Sequence, residues 1–282
     1  MSTLLVVGAG SMGAQIAQQA ALHSVDVFLQ DVNGEQLQKA IEQNRGHLQR
    51  RVDKGRMTQI DADAALSRVR VTTDLGEAAP LADIVIEAIV EALEPKRELF
   101  RTLNRHCRRE AVLASNSSSM GISKIAAGLD GAHRCCNMHF FYPVLVMELV
   151  EVVKGPETDE ATMEAAIAFS RQMGRVPVRI NKEIDGFIVN RILHHASQEA
   201  YRLLDAGVAT FEDIDTAIEK GLNWPMGPFR LGDFSGLDVT YAARKHIYDT
   251  TGDPRYRPSD QLKAKVEAGK LGRKTGEGWY KY

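Results

Sequence analysis

The sequence predicts an α/β protein, with an N-terminal Rossmann-type, doubly wound and mostly parallel sheet followed by an all-helical C-terminal domain. Three observations carry this. Short apolar runs without polar alternation recur from the N-terminus to about residue 180, as in strands buried on both faces. Longer segments of helical spacing separate most of them, the alternation that builds parallel sheets. After about Asp185 the strand-like runs stop, and helical segments punctuated by Gly and Pro take over. Domains are expected over residues 1–185 and 186–282, a division suited to a chain of 282 residues.

The first strand, Leu4–Gly8, runs into Gly8-x-Gly10-x-x-Gly13, after which Met12, Ile16 and Ala20 recur at helical spacing. Gly8 permits the tight turn, Gly10 lets backbone approach a pyrophosphate, and Gly13 lets helix and strand pack closely. The helix start, with Ser11 and Met12, offers free N–H groups and a positive dipole end to the phosphates. A glycine turn alone has many uses. Here it follows a strand, opens a helix, and is answered by Asp31 at the end of the second strand, Val25–Asp31. That offset suits the acid that takes the adenosine ribose hydroxyls. A carboxylate there accepts from a 2′-hydroxyl and repels a 2′-phosphate, and Val32-Asn33 bring no Arg, so NAD is expected rather than NADP.

The segment Gly34–Gly55 is strongly charged and reads as an exposed helical excursion. Further strands are expected at Val69–Thr72, Ile84–Ala88, Val112–Ala114, Cys135–Phe140, Met147–Val153 and Val176–Ile180. Helices are expected at Gly186–Ala206, Phe211–Lys220, Phe229–Ser235, Asp238–Thr250 and Ser259–Ala268, with Gly221, Pro225, Gly227, Pro228 and Gly252 as punctuation. A helical domain of that size often needs a partner surface to bury its faces.

Composition excludes several classes. An apolar content of 44%, 26% charged residues and a net charge of −2 give no reason to expect nucleic acid or membrane binding through bulk charge. No apolar run approaches the length of a membrane span. Cys107, Cys135 and Cys136 show no metal spacing, and their odd number without a signal peptide suggests a reducing cytoplasm. The remaining histidines, His23, His47, His106, His133, His194, His195 and His246, likewise show no metal spacing. His194 and His195 point to different helix faces, which leaves His195 as one that could face a substrate pocket.

The chemistry concentrates in Asn137–Val152. His139 closes an apolar strand, and in open α/β sheets ligands bind beyond the carboxyl ends of strands. Glu151 sits inside another apolar strand, where an unpaired carboxylate is costly. A histidine on a neighbouring strand is the sensible partner. The plain alternative, a buried structural His and a surface Glu, yields to the dinucleotide site, because removing hydride from an alcohol also needs a base for the hydroxyl proton.

On these residues the chain resembles the short-form L-3-hydroxyacyl-CoA dehydrogenases, including bacterial 3-hydroxybutyryl-CoA dehydrogenases. The resemblance runs nearly end to end: the glycine fingerprint, Ile86-Glu87-Ala88-Ile89-Val90-Glu91 with Lys96, Ala114–Ser119, His139-Phe140-Phe141 to Glu151, and Gly186-Phe187-Ile188-Val189-Asn190-Arg191. Later blocks are Asp213-Ile214-Asp215, Pro225–Phe229, Gly236-Leu237-Asp238 and Gly272–Gly278. The resemblance implies NAD-dependent oxidation of a (3S)-3-hydroxyacyl-CoA in acyl-CoA and fatty acid metabolism. His139 would then be the general base, Glu151 its orienting carboxylate, and Ser118 and Asn190 the groups that hydrogen-bond the substrate oxygens. Glu91, Lys96 and Lys274 match cofactor contacts; read alone they are solvated surface charges. Arg45, Arg50, Arg51, Lys54 and Arg56 form a basic cluster, and the family uses a Lys matching Lys54 for coenzyme A, whose phosphates Arg51 would also serve. Alone, the cluster reads as a wet helix face. A cytoplasmic homodimer through the C-terminal domain is also implied.

Three residues depart from the family pattern after the catalytic His: Tyr142 replaces an Asn beside the nicotinamide, Leu145 a Pro, and Glu148 a basic residue. They raise the expectation of a substrate other than a simple short acyl chain. Two alternatives remain at this stage, a related dehydrogenase of a hydroxy acid without CoA, and a non-catalytic NAD-binding structural protein.

Overall fold

The computed structural model describes residues 2–282, apart from the side chains of His246, Ile247, Thr250, Thr251 and Arg255. His246 therefore lies outside the described residues. The strands are β1 (Thr3–Val7), β2 (Asp26–Gln30), β3 (Val69–Thr72), β4 (Ile84–Glu87), β5 (Val112–Ser115), β6 (Cys135–Phe140), β7 (Leu149–Val153) and β8 (Val176–Ile180). Among the described residues these eight form one sheet in the order β3-β2-β1-β4-β5-β6-β7-β8. Strands β1 to β6 pair in parallel, in the 3-2-1-4-5-6 order of a dinucleotide-binding fold. β7 is antiparallel to β6, and β8 runs parallel to β7.

Helices α1 (Ser11–Leu22), α2 (Gly34–Asp53), α3 (Gln59–Ser67), α4 (Leu75–Ala78), α5 (Leu93–His106), α6 (Ile122–Ile125) and α7 (Glu160–Gln172) accompany the sheet. Alternate residues of the central strands feed two cores. Leu4, Val6, Leu29 and Ile86 pack with Ile16 and Ala20 of α1 and Met163 and Phe169 of α7. Leu5, Val85 and Leu113 pack on the other face with Phe100 and Leu103 of α5. Burial on both faces is why these strands read as unbroken apolar runs rather than alternating ones.

The chain divides into two compact units, Met1–Ile188 and Val189–Tyr282. The second holds α8 (Val189–Asp205), α9 (Phe211–Gly221), α10 (Pro228–Ser235), α11 (Leu237–Thr251) and α12 (Asp260–Glu267). Its core is aromatic: Tyr201, Phe229 and Trp279 meet with ring centroids 4.9–5.8 Å apart. Buried carboxylates tie the tail to it. Asp233 accepts from the backbone N–H groups of Trp279 and Tyr280, both at 2.8 Å.

Three expectations need correction. The helix expected from Gly186 begins at Val189, because Gly186 and Phe187 have φ of 75° and 48°, outside the right-handed helical region. The strand expected from Met147 begins at Leu149, since the N–H groups of Val146 and Met147 both turn back to the Pro143 carbonyl at 2.9 Å. Helix α3 was not expected, having no strong apolar stripe. Its signal was the Thr58-x-x-Asp61 start, where Thr58 Oγ1 accepts the Asp61 N–H at 3.1 Å. α3 buries Ala62 and Ala65 against Leu48 of α2.

Candidate active site

The glycine loop joins β1 to α1. Gly8 has φ of 103°, and a Cβ there would stand 2.5 Å from the Ala88 carbonyl oxygen. A Cβ on Gly13 would lie 1.8 Å from the Gly8 oxygen, so helix and strand pack too closely for any side chain. Gly10 differs: nothing lies within 4 Å of its Cβ position, which leaves the backbone open to an approaching ligand. α1 has no acidic residue in its first turn and no side chain capping it, so its leading N–H groups face outward as an anion site. Asp31 follows directly on β2; its Oδ2 accepts the Ala9 N–H at 2.8 Å and its Oδ1 the Asn33 N–H at 2.9 Å. Gln36 adds a bond from Nε2 to the Ala9 carbonyl at 2.8 Å. The loop is thus held by the same carboxylate expected to meet the ribose, and these residues fit an NAD adenosine and pyrophosphate.

At the carboxyl end of β6, His139 is paired in register with Glu151 of β7. Nδ1 of His139 lies 2.8 Å from Oε2 of Glu151, whose side chain is fully buried. The second carboxylate oxygen, Oε1, accepts the Ile188 N–H at 3.0 Å. Phe141 and Phe187 flank the imidazole at 4.5 and 5.6 Å between centroids. With a carboxylate on Nδ1, the neutral ring carries its proton there, and Nε2 keeps a lone pair with no partner among the described residues. That arrangement can take a proton from a hydroxyl and stabilise the resulting cation.

Ser118 lies on the loop after β5, beside the carboxyl end of β6, and its hydroxyl makes no hydrogen bond among the described residues. The loop around it is heavily fastened. Ser117 Oγ donates to Glu91, Ser119 Oγ donates to the same carboxylate at 2.8 Å, and the Phe140 N–H donates to Asn116 Oδ1 at 2.9 Å. The Ser115–Ser119 run caps no helix; α6 starts at Ile122 with Gly121 before it.

Beneath this loop lies an ion pair the sequence reading missed. Lys96, only 1% exposed, bonds Glu87 Oε1 at 2.5 Å and reaches Glu91 Oε2 at 3.2 Å. Glu87 also accepts from Ser115 Oγ at 2.6 Å and from the Ile89 N–H at 2.8 Å. Lys96 is therefore not a solvated surface charge. The signal was available: Glu87 ends an apolar strand as Glu151 interrupts one, and both need a buried partner. Partial burial works against the charge on Glu91, but the bonds from Ser117 and Ser119 and the nearby Lys96 outweigh it and hold its carboxyl below the usual range.

Among the other expected residues, Tyr142 is 57% exposed on the loop after β6. Lys54 caps the end of α2 in the open, and Arg51 is half-buried one turn before it. In the second unit, Lys274 pairs with Asp238 at 2.6 and 2.7 Å. Asn190 opens α8 and lines a cavity there, together with His194 rather than His195; His195 Nδ1 instead bonds its own helix at the Arg191 carbonyl, 2.8 Å away. Among the described residues no group of His, Cys, Asp or Glu could hold a metal ion, and no helix is long and apolar enough to cross a membrane.

Residues 3–184 match the 3-hydroxyacyl-CoA dehydrogenase NAD binding domain, and residues 186–282 match the 3-hydroxyacyl-CoA dehydrogenase C-terminal domain. The chain is 40% identical over 279 residues to a probable 3-hydroxybutyryl-CoA dehydrogenase of Bacillus subtilis, covering 99% of this chain and 96% of that one. It is 40% identical to the human mitochondrial hydroxyacyl-coenzyme A dehydrogenase, covering 98% and 90%. The crystal structure of (S)-3-hydroxybutyryl-CoA dehydrogenase from Ralstonia eutropha superposes with a TM-score of 0.92 at 38% identity, covering 100% and 99%.

Proposed function

The chain belongs to the 3-hydroxyacyl-CoA dehydrogenase family, and on that premise we propose that it oxidises (3S)-3-hydroxyacyl-CoA thioesters to 3-oxoacyl-CoA through a His139–Glu151 dyad. The carrying observation is the His139 imidazole, buried and held by Glu151 at the carboxyl edge of a dinucleotide-binding sheet. When bound, NAD supplies the hydride acceptor. Gly8, Gly10, Ser11, Met12 and Gly13 cradle its pyrophosphate and Asp31 its ribose; Glu91, Lys96, Ser118, Tyr142 and Lys274 serve the rest of the cofactor by family resemblance.

His139 Nε2 takes the proton of the C3 hydroxyl as the C–H bond breaks. Positive charge then develops on the imidazole, and the Glu151 carboxylate at Nδ1 stabilises it without itself taking the proton. The Ser118 hydroxyl and the Asn190 amide hold the substrate oxygens, fixing the reacting carbon relative to the base. Running backwards, His139 returns the proton to a 3-oxo group. Lys54 and Arg51 meet the phosphates of coenzyme A.

A homodimer through the helical unit is supported by exposed apolar side chains there, including Ile192, Leu222 and Phe234. A cytoplasmic location suits three free, buried cysteines.

The test is NADH formation from 3-hydroxybutyryl-CoA against free 3-hydroxybutyrate. The thioester should be turned over far more efficiently. Comparable turnover of the free acid would move the substrate class away from CoA esters, and no NADH from any hydroxyacyl substrate would end the catalytic reading.

A further inference from the structure

Helices α8, α10 and α11 surround a cavity of about 240 Å³ within the second unit. That is many times the ~10–15 Å³ that one water needs on the same measure, room for the end of a short acyl chain. Leu193, Leu231 and Val239 give it apolar wall, while Asn190 and Thr240 bring polar groups. Its unusual member is Arg244, which lines the cavity and is only 9% exposed.

Among the described residues no carboxylate pairs with Arg244 and its Nε has no hydrogen-bond partner. Its guanidinium lies over the ring of Tyr201 at 5.2 Å, which supports a cation without neutralising it. The nearby Asp205 favours the Arg244 charge from a distance but forms no ion pair with it, and it accepts from Ser259 Oγ at 2.8 Å. Burial works against the Arg244 charge, yet an arginine side chain does not surrender its proton inside a protein. A buried cation that stays charged calls for an anion, and its planar fork suits a carboxylate taken bidentately.

We infer that this cavity receives the far end of the acyl chain, and that Arg244 there binds a terminal carboxylate, so the preferred substrate is a 3-hydroxyacyl-CoA derived from a short dicarboxylic acid. The inference rests on the function proposed above, because it is Asn190, assigned there to the substrate oxygens, that lines the same cavity.

The experiment compares substrates of matched length: 3-hydroxyglutaryl-CoA with 3-hydroxyvaleryl-CoA, and 3-hydroxyadipyl-CoA with 3-hydroxyhexanoyl-CoA. The wild type should favour the carboxylated member of at least one pair by about tenfold or more in kcat/KM. Arg244→Met should cut that ratio by roughly 10- to 100-fold, the size of a lost charge-assisted contact, while Arg244→Lys retains part of it. Should Arg244→Met fail to fold, Arg244→Gln carries the same expectation, and the wild-type ratio stands by itself. Both esters of each pair turned over with equal efficiency would overturn this inference and leave the parent activity intact. No turnover of any of the four beside turnover of 3-hydroxybutyryl-CoA would overturn this inference alone, and no turnover of 3-hydroxybutyryl-CoA either would overturn both. Dissociation of an oligomer in Arg244→Met with the substrate ratio unchanged would also overturn it, assigning the guanidinium to a carboxylate of a second copy.

Discussion

His139 and Glu151 stand opposite each other in register on antiparallel strands, Nδ1 to Oε2 at 2.8 Å, with the other carboxylate oxygen fastened to the Ile188 N–H. Strand pairing, rather than a loop, sets this distance, so the imidazole is aimed before substrate arrives. Glu151→Gln keeps the shape but removes the charge that favours imidazolium. kcat should fall by about 10²-fold or more. A folded Glu151→Gln variant with kcat within about twofold of wild type would remove Glu151 from the proton-transfer step.

Asp31 predicts a strong preference for NAD. Its carboxylate sits at the end of β2 with Val32 exposed beside it and no arginine in Val32-Asn33. The ratio of kcat/KM for NAD over NADP should exceed about 10², two charge-dependent contacts' worth of discrimination. Because Asp31 also holds the Ala9 N–H at 2.8 Å, Asp31→Ala should weaken NAD binding as well as relax the choice. Equal use of the two cofactors by the wild type would show the ribose site misread.

Lys54 is exposed at the end of α2, so the contact proposed for it with a coenzyme A phosphate would be modest. Lys54→Ala should raise KM for acyl-CoA about two- to fivefold with kcat little changed, and the difference should shrink at high salt. An unchanged KM at low ionic strength would place coenzyme A elsewhere.

The Glu87–Lys96 pair predicts a stability effect out of line with an ordinary lysine substitution. Lys96→Met leaves a fully buried carboxylate without its cation and should cost about 3–5 kcal/mol in urea unfolding. Adding Glu87→Gln should recover much of it. Glu91 brings a pH dependence: its folded pKa is depressed, so its contribution is full above the ordinary carboxylate value of about 4.3 and is lost as pH falls through the lower folded value. A Lys96→Met loss below about 1 kcal/mol would mean that solvent reaches the pair.

Much of the central sheet was legible because burial on both faces leaves an unmistakable pattern, as at β6, which falls where Cys135–Phe140 was expected. The edge strands β3 and β8, with exposed residues, also fall where Val69–Thr72 and Val176–Ile180 were expected, on their β-branched residues rather than on burial. The contact between His139 and Glu151 was legible by the cost of a charge among valines at Glu151. Glu87 carried the same signal more weakly, at a strand end where solvent could have satisfied it, and so Lys96 passed for a surface residue. The start of α8 was not legible, since a left-handed φ at Phe187 is imposed by tertiary packing on a residue that seldom adopts it. Nor was the Arg244 cavity, because nothing in Arg244-Lys245 tells a buried guanidinium from a solvated one until the helices are packed.

The role of His139 as the base is tested most directly by single-turnover hydride transfer, with enzyme saturated in NAD and (3S)-3-hydroxybutyryl-CoA and NADH followed by absorbance. His139→Ala should slow the step by roughly 10²–10⁴-fold while leaving NAD affinity nearly intact, since the imidazole acts on the hydroxyl proton and not on the cofactor. A folded His139→Ala variant that transfers hydride within about twofold of the wild-type rate would contradict the dyad mechanism.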